Sequence, residues 1–141
     1  MLDLQFPGLR FTLELETHRV ERPVGPYLDW LHCTVRGSAP GFEAQFPWSV
    51  TAGELADLAE ELAAFQQALP DAGCVSFEGT EPKVAITFAP DSLSHIAATF
   101  RFQSDIPSGA VLAGGFTIDQ SYLPGLITSI RSFIAESTAA A

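Results

Sequence analysis

His32 and His95 are the side chains best suited to proton transfer near neutral pH. His32 alternates with Arg36 on the outward side of one predicted strand, and His95 opens another that carries Thr99 and Arg101. These four residues define a candidate polar sheet face. A hydrolase would also need a serine or cysteine in a recognisable nucleophile turn, and the sequence contains none. Ordinary surface histidines are therefore favoured, and no catalytic residue is predicted.

Three glutamates are candidates for a catalytic carboxylate pair. Glu14 and Glu16 share one face of a predicted strand, and Glu43 joins them if its strand is a neighbour. Acid–base catalysis by two carboxyl groups requires that they lie close together in unlike surroundings. A solvated strand face explains the same pattern more simply.

The cysteines and histidines lack the clustering of a metal site. Cys33 and Cys74 form no CxxC pair, and both stand among apolar strand residues. Both are therefore predicted to be small buried side chains. The histidines at positions 18, 32 and 95 are scattered singly, whereas zinc needs clustered ligands. No metal site is predicted.

One glycine motif lies near the second predicted helix. The segment Gly114-Gly115-Phe116 lacks the spacing of a phosphate-binding loop. A bulge or close backbone packing is the favoured interpretation, and no cofactor is predicted.

The charge is strongly negative, and its distribution is uneven. Seventeen acidic residues against seven basic ones give a net charge of −10. No lysine, arginine or histidine lies between Arg36 and Lys83, a stretch that holds many carboxylates. Such a field repels phosphate backbones, so direct nucleic-acid binding is not expected. It would attract a basic protein partner, although an acidic surface that only maintains solubility stays open.

Length and composition indicate one soluble domain. The chain has 141 residues, of which 47% are hydrophobic and 17% charged, so disorder is not the main state. No apolar run approaches the roughly 20 residues that span a bilayer, and the N-terminus lacks a secretory signal pattern. We expect a cytoplasmic protein without membrane contact, a single domain over residues 1–141, and a frayed tail at 137–141.

Two helices are predicted. Thr51-Ala52-Gly53-Glu54 has the pattern of a capping box, and leucines and a phenylalanine then recur at three- and four-residue steps. This predicts a helix over about 51–69, which Pro70 ends. A second helix is predicted over about 120–136, with Asp119 or Ser121 as N-cap and Pro124 in its first turn.

The rest of the chain is predicted to form about seven strands, and the fold class is α+β. Alternating apolar residues between glycine and proline clusters mark the strands. Connections are short, so one mainly antiparallel sheet is expected, with one face under the helices and the other in solvent. The predicted strands are 10–16, 29–36, 42–48, 74–78, 83–88, 95–103 and 110–118.

Candidate contacts for a protein partner lie on the first helix and at the start of the second predicted strand. Glu54, Asp57, Glu60 and Glu61 lie away from the apolar stripe, so this helix is expected to show water an acidic face. Trp30 is a candidate interface anchor, because exposed aromatic residues beside polar ones often carry binding energy.

Several short segments follow one another in an order that identifies a family. They are Asp29-Trp30-Leu31, Phe42-Glu43-Ala44, Thr51-Ala52-Gly53-Glu54-Leu55, Phe77-Glu78, and Phe116-Thr117-Ile118-Asp119-Gln120-Ser121-Tyr122-Leu123. In this order the chain resembles the WapI-type immunity proteins of bacterial polymorphic toxin systems and related bacterial domains of unknown function. The resemblance covers about residues 9–135.

The resemblance implies a non-enzymatic protein that neutralises a cognate toxin, often a nuclease, by binding it in the cytoplasm. It transfers no toxin-contact residue, because such contacts vary with the toxin. Two other functions stay open at this point. One is a small-ligand carrier or weak enzyme that uses the polar sheet face, and the other is a structural or oligomerising domain.

Overall fold

The structure, a computed structural model, describes residues 1–16, 20, 23–91 and 95–138. Eight strands and two helices occur along these residues. In chain order they are β1 (Leu2–Phe6), β2 (Leu9–Leu15), β3 (Trp30–Ala39), β4 (Phe42–Thr51), α1 (Ala52–Ala68), β5 (Val75–Glu78), β6 (Val84–Pro90), β7 (His95–Gln103), β8 (Val111–Asp119) and α2 (Tyr122–Ser137).

The strands form two four-stranded sheets rather than one. The first has the order β1-β2-β3-β4 and the second β5-β6-β7-β8, and every neighbouring pair is antiparallel. The α+β class and the antiparallel pairing are confirmed, and the predicted strand number is close. The predicted single sheet is wrong, because α1 carries the chain away from β4 and, of the strands in the described residues, β5 pairs with β6 alone.

β1 is the strand that the sequence prediction missed. It holds Leu2 and Leu4 in the core and pairs with β2 around a turn at Gly8, whose φ is 90°. Glycine adopts this left-handed conformation without the Cβ clash of other residues. The short turn therefore lets β1 fold directly back onto β2.

One hydrophobic core joins the inner faces of both sheets to the two helices. Phe102 of β7 bridges the sheets: its ring centroid lies 5.5 Å from that of Phe11 and 6.4 Å from that of Phe46. Gly37 of β3 makes this approach possible, since a Cβ at this position would lie 2.5 Å from Cε2 of Phe102. The outward faces of the two sheets consequently belong to different surfaces of the protein.

Helix α1 forms as its sequence predicts. The Thr51 hydroxyl accepts a hydrogen bond from the Glu54 N–H at 3.2 Å, and the Glu54 carboxylate accepts one from the Thr51 N–H at 2.8 Å. Buried Leu55, Leu58 and Leu62 turn one side of the helix toward the core. The helix ends at Ala68, two residues before Pro70.

Helix α2 begins after Ser121, as one of the two predicted N-caps requires. Ser121 makes no side-chain capping bond, and its N–H instead donates to the Asp119 carboxylate at 2.8 Å. Pro124 lies in the first turn, where its missing N–H costs no helical hydrogen bond. Ser137, the last residue of α2, is buried, and residues 139–141 lie outside the described part of the chain.

The two cysteines differ in exposure. Cys33 is buried in β3, as predicted, whereas the prediction for Cys74 is wrong because this residue is exposed. β5 begins one residue later, at Val75, so Cys74 belongs to the preceding loop and has no core-facing position.

Neither helix among the described residues is long and apolar enough to cross a membrane.

Candidate functional site

The loop at residues 23–29 has a backbone fixed by a buried carboxylate. Asp29 is only 6% exposed, and its Oδ1 accepts hydrogen bonds from the N–H groups of Val24 at 2.8 Å and Gly25 at 3.4 Å. The Gly25 carbonyl in turn accepts from the N–H groups of Leu28 and Asp29, each at 2.9 Å. These bonds close the loop into a compact turn just before β3.

The same loop is anchored to the first turn of α1. The Pro26 carbonyl accepts from the Gly53 N–H at 2.7 Å, and the Asp29 carbonyl accepts from the Ala52 N–H at 3.1 Å. The first N–H groups of a helix have no partner inside the helix, so the loop satisfies two of them. The Tyr27 ring covers Gly53, where a Cβ would lie 2.5 Å from Cδ1 of the ring.

Tyr27 connects this loop to the acidic face of α1. Its hydroxyl lies 2.9 and 2.8 Å from the two carboxylate oxygens of Asp57, to which it donates. That hydrogen bond, with burial and the negative charges of Asp57 and Glu60, raises the pKa of Tyr27. The phenol therefore stays protonated and keeps donating at neutral pH.

Large hydrophobic side chains project into solvent from the fixed loop and from Trp30, the first residue of β3. Val24 is 79% exposed, Leu28 66%, Tyr27 58% and Trp30 39%. We call these four residues the loop patch. They are half of the eight exposed large hydrophobic residues in the described part of the chain, although they lie within seven consecutive positions.

The four acidic residues predicted on α1 have different surroundings. Asp57, Glu60 and Glu61 are exposed, with Asp57 bonded to Tyr27. Glu54 accepts from the N–H and hydroxyl of both Thr51 and Thr80 at 2.6 to 2.9 Å. Trp30 and Asp57 are thus connected through the loop at residues 23–29, which is hydrogen-bonded to α1. Glu54, in contrast, uses its carboxylate for hydrogen bonds inside the fold.

Sequence reasoning missed Val24, Tyr27 and Leu28. Their signal is a run of apolar residues between the two prolines of a predicted loop, Pro23 and Pro26, and just beyond. A loop that exposes several large apolar side chains calls for an explanation, because loops are otherwise rich in small and polar residues.

The predicted polar sheet face is divided between two sheets. His32 and Arg36 lie on β3 in the first sheet, while Thr99 and Arg101 lie on β7 in the second. His32 Nδ1 lies 2.7 Å from the Ser49 hydroxyl, and Arg101 donates to Gln103 Oε1 at 2.6 Å. The structure does not bring the two pairs together in one site.

A polar groove lies instead on the outer face of the first sheet. It encloses about 460 Å³ and is lined in part by Glu14, Glu43, Arg10 and Arg36. Arg10 is paired with Asp3 at 3.0 Å, which lowers the pKa of that carboxyl through the hydrogen bond. The groove thus collects two of the three candidate carboxylates, Glu14 and Glu43, together with two guanidinium groups.

Close packing accounts for Cys33 and for the glycine motif. Burial raises the pKa of the Cys33 thiol to about 12, so it carries almost no reactive thiolate at neutral pH. Gly114 packs closely, since a Cβ there would lie 2.9 Å from Cζ of Phe100. No group of three or more metal-binding side chains occurs among the described residues, which do not include His18.

Comparison with known proteins agrees with the segment order found in the sequence. The sequence model of the immunity protein WapI-like family matches residues 6–136, which is nearly the whole chain. A search of curated proteins finds no match. The match extends from the end of β1 to within one residue of the end of α2, so it spans nearly all of both sheets and both helices. The chain therefore belongs to the immunity protein WapI-like family.

Proposed function

We propose that this protein neutralises a cognate basic toxin, such as a nuclease, by binding it directly in the cytoplasm without any catalytic step. The observation that carries the proposal is the family match over residues 6–136. Immunity is the function of that family by its description, and a toxin is the partner that an immunity protein requires. Direct binding, a basic toxin and the cytoplasm are the further steps that we propose.

The charge of the protein supports a basic partner. A net charge of −10 on 141 residues produces a negative field around much of the surface. Enzymes that act on nucleic acids carry basic clefts, and complementary fields accelerate association by up to several orders of magnitude. An acidic inhibitor would therefore reach such a toxin quickly and compete with its substrate for the same basic groups.

A rescue selection tests the proposal and at the same time identifies the toxin. Fragments of the host genome are expressed from an inducible promoter in a heterologous bacterium, with or without this protein. We expect at least one fragment that kills the cells alone and is tolerated when this protein is present. A control strain expresses Leu62→Asp, which places a carboxylate at a core position that is 0% exposed and prevents folding. The proposal fails if every toxic fragment stays toxic.

Direct binding is then tested with purified components. The toxin domain recovered from the selection is titrated with this protein by calorimetry, and association is followed at low and high salt. We expect a stoichiometric complex whose association rate falls with salt concentration, because screening weakens attraction between opposite charges. Rescue without a detectable complex would contradict neutralisation by binding.

A further inference from the structure

We propose that the loop patch, together with Asp57 and Glu60 beside it, is the surface that binds a basic face of the toxin. This assignment rests on the proposed function and adds the location of the interface. The loop patch supplies apolar anchors, and the two carboxylates supply charges for lysine and arginine side chains of the toxin.

Exposed apolar area is concentrated in the loop patch. A single exposed leucine or valine is ordinary on a protein surface. Val24, Tyr27, Leu28 and Trp30 lie instead within seven positions, on the loop and at the first residue of β3. Tyrosine and tryptophan are the residues most enriched among those that dominate binding energy at interfaces.

The backbone that carries these side chains is fixed by hydrogen bonds. Asp29 holds Val24 and Gly25, while Gly53 binds the Pro26 carbonyl and leaves space for the Tyr27 ring. A surface already in its bound conformation loses less entropy on association. The loop therefore displays its apolar side chains at low cost to a partner of matching shape.

The charge beside the loop patch is negative. Asp57 and Glu60 are exposed, and among the described residues no lysine or arginine forms an ion pair with either. Asp57 accepts a hydrogen bond from the Tyr27 hydroxyl, and Glu60 follows three residues later on the same helix, so both lie beside the loop patch. Carboxylates without an ion-pair partner, next to an aromatic ring, suit a cationic side chain, which is attracted to the carboxylate and to the face of the ring. This selects a basic partner rather than a neutral one.

Two matched control positions lie at the far end of the same hairpin. β3 pairs with β4 from Trp30 opposite Thr51 to Ala39 opposite Phe42, so the two ends are separated by about 30 Å of strand. Phe42 is 65% exposed and therefore serves as an apolar control for Trp30 and Leu28. Glu43 is an exposed carboxylate that serves as the charge control for Glu60.

The test uses the full chain and the toxin domain recovered in the rescue selection. Trp30→Ala, Leu28→Ala and Phe42→Ala are first compared by circular dichroism and thermal unfolding, so that only folded variants are titrated. We expect Trp30→Ala or Leu28→Ala to weaken binding about 30-fold, the size expected for a central anchor. Phe42→Ala should change the dissociation constant less than about threefold, because it lies outside the surface.

Charge-reversal variants test whether the partner's binding surface is positively charged. Glu60→Lys should slow association about tenfold and reduce its salt dependence, whereas Glu43→Lys should change both much less. Equal effects of the two reversals would overturn the assignment, because they would reflect net charge alone. The surface is also refuted if Trp30→Ala and Leu28→Ala bind as wild type while wild type still rescues cells, an outcome that leaves the proposed function intact. If wild type rescues no toxic fragment, the function and this assignment fail together.

Discussion

Replacing Glu54 by alanine should destabilise the protein far more than replacing Glu61, although both are carboxylates on α1. Glu54 Oε2 accepts from the Thr51 N–H at 2.8 Å and its hydroxyl at 2.9 Å. Oε1 accepts from the Thr80 N–H at 2.6 Å and its hydroxyl at 2.7 Å. Glu54 thus joins the start of the helix to the turn between β5 and β6, whereas Glu61 is exposed.

The expected loss of stability follows from the hydrogen bonds that the Glu54 carboxylate accepts from Thr51 and from Thr80. Capping interactions contribute about 1 kcal/mol, and hydrogen bonds to a charged group contribute about 1.5–3 kcal/mol where water is excluded. Glu54 is partly exposed, so we expect Glu54→Ala to lower the free energy of unfolding by about 2 kcal/mol. For a chain of this size that corresponds to a fall in Tm of about 7 °C. Glu61→Ala should stay within about 0.5 kcal/mol of wild type.

The pH dependence provides a second readout for the same carboxylate. Burial raises the pKa of Glu54, but hydrogen bonds from Thr51 and Thr80 outweigh it and hold the pKa below its ordinary value of 4.5. The folded state therefore favours the charged form, and this stabilisation is present above the pKa of the unfolded chain. It is lost as the pH falls through the lowered pKa of the folded state.

Urea unfolding at pH 7 and at successively lower pH measures both effects. Glu54→Gln keeps the shape but removes the charge, so its deficit against wild type should shrink as the pH falls and Glu54 becomes protonated. Equal midpoints for Glu54→Ala and Glu61→Ala at pH 7 would refute the structural role. A deficit of Glu54→Gln that does not change with pH would refute the origin assigned to the lowered pKa.

Two further predictions concern packing and thiol exposure. Gly37→Ala should lower the free energy of unfolding by about 1–3 kcal/mol, because its Cβ would meet the Phe102 ring. Gly125→Ala lies in an open helical position of α2 and should raise the free energy of unfolding by about 0.5–1 kcal/mol. Urea unfolding of both variants checks this, and stability changes of the same sign in the two variants would contradict the packing described at Gly37. In a thiol titration with Ellman's reagent, the native protein should react at Cys74 alone and the unfolded chain also at Cys33. Two fast thiols in the native protein would show that Cys33 is accessible.

Local structure was predictable wherever neighbouring residues determine it. The capping box at Thr51 and Glu54 and the apolar steps from Leu55 to Phe65 placed α1 to within one residue at each end. β7 was predicted with the same bounds that it has in the structure, 95–103, because Ile96 to Phe102 alternate strictly with residues of the outer face. In both cases the signal is a periodicity that the backbone geometry imposes.

The candidate site was only partly predictable. Trp30 and Asp57 were identified from residue type and helical position, and the structure joins them through the loop that carries Tyr27. Tyr27 and Leu28 themselves were missed, because an apolar residue in a loop can equally be buried under it or exposed above it. The capping box indicated that Glu54 bonds to Thr51, but only the fold showed that Glu54 also bonds to Thr80 while Asp57 stays exposed.

The charge, the α+β class, both helices, seven of the eight strands and the family all follow from the amino-acid sequence without the fold. These properties depend on composition, segment order and interactions between residues a few positions apart. The folded chain was needed to show that the strands divide into two sheets and that His32 and Arg101 lie apart. It was also needed to show that the four large apolar side chains of the loop patch lie exposed beside two carboxylates of α1. Those outcomes depend on contacts between distant positions, such as Gly37 with Phe102 and Gly53 with Tyr27, where the absence of a side chain lets another fill the space.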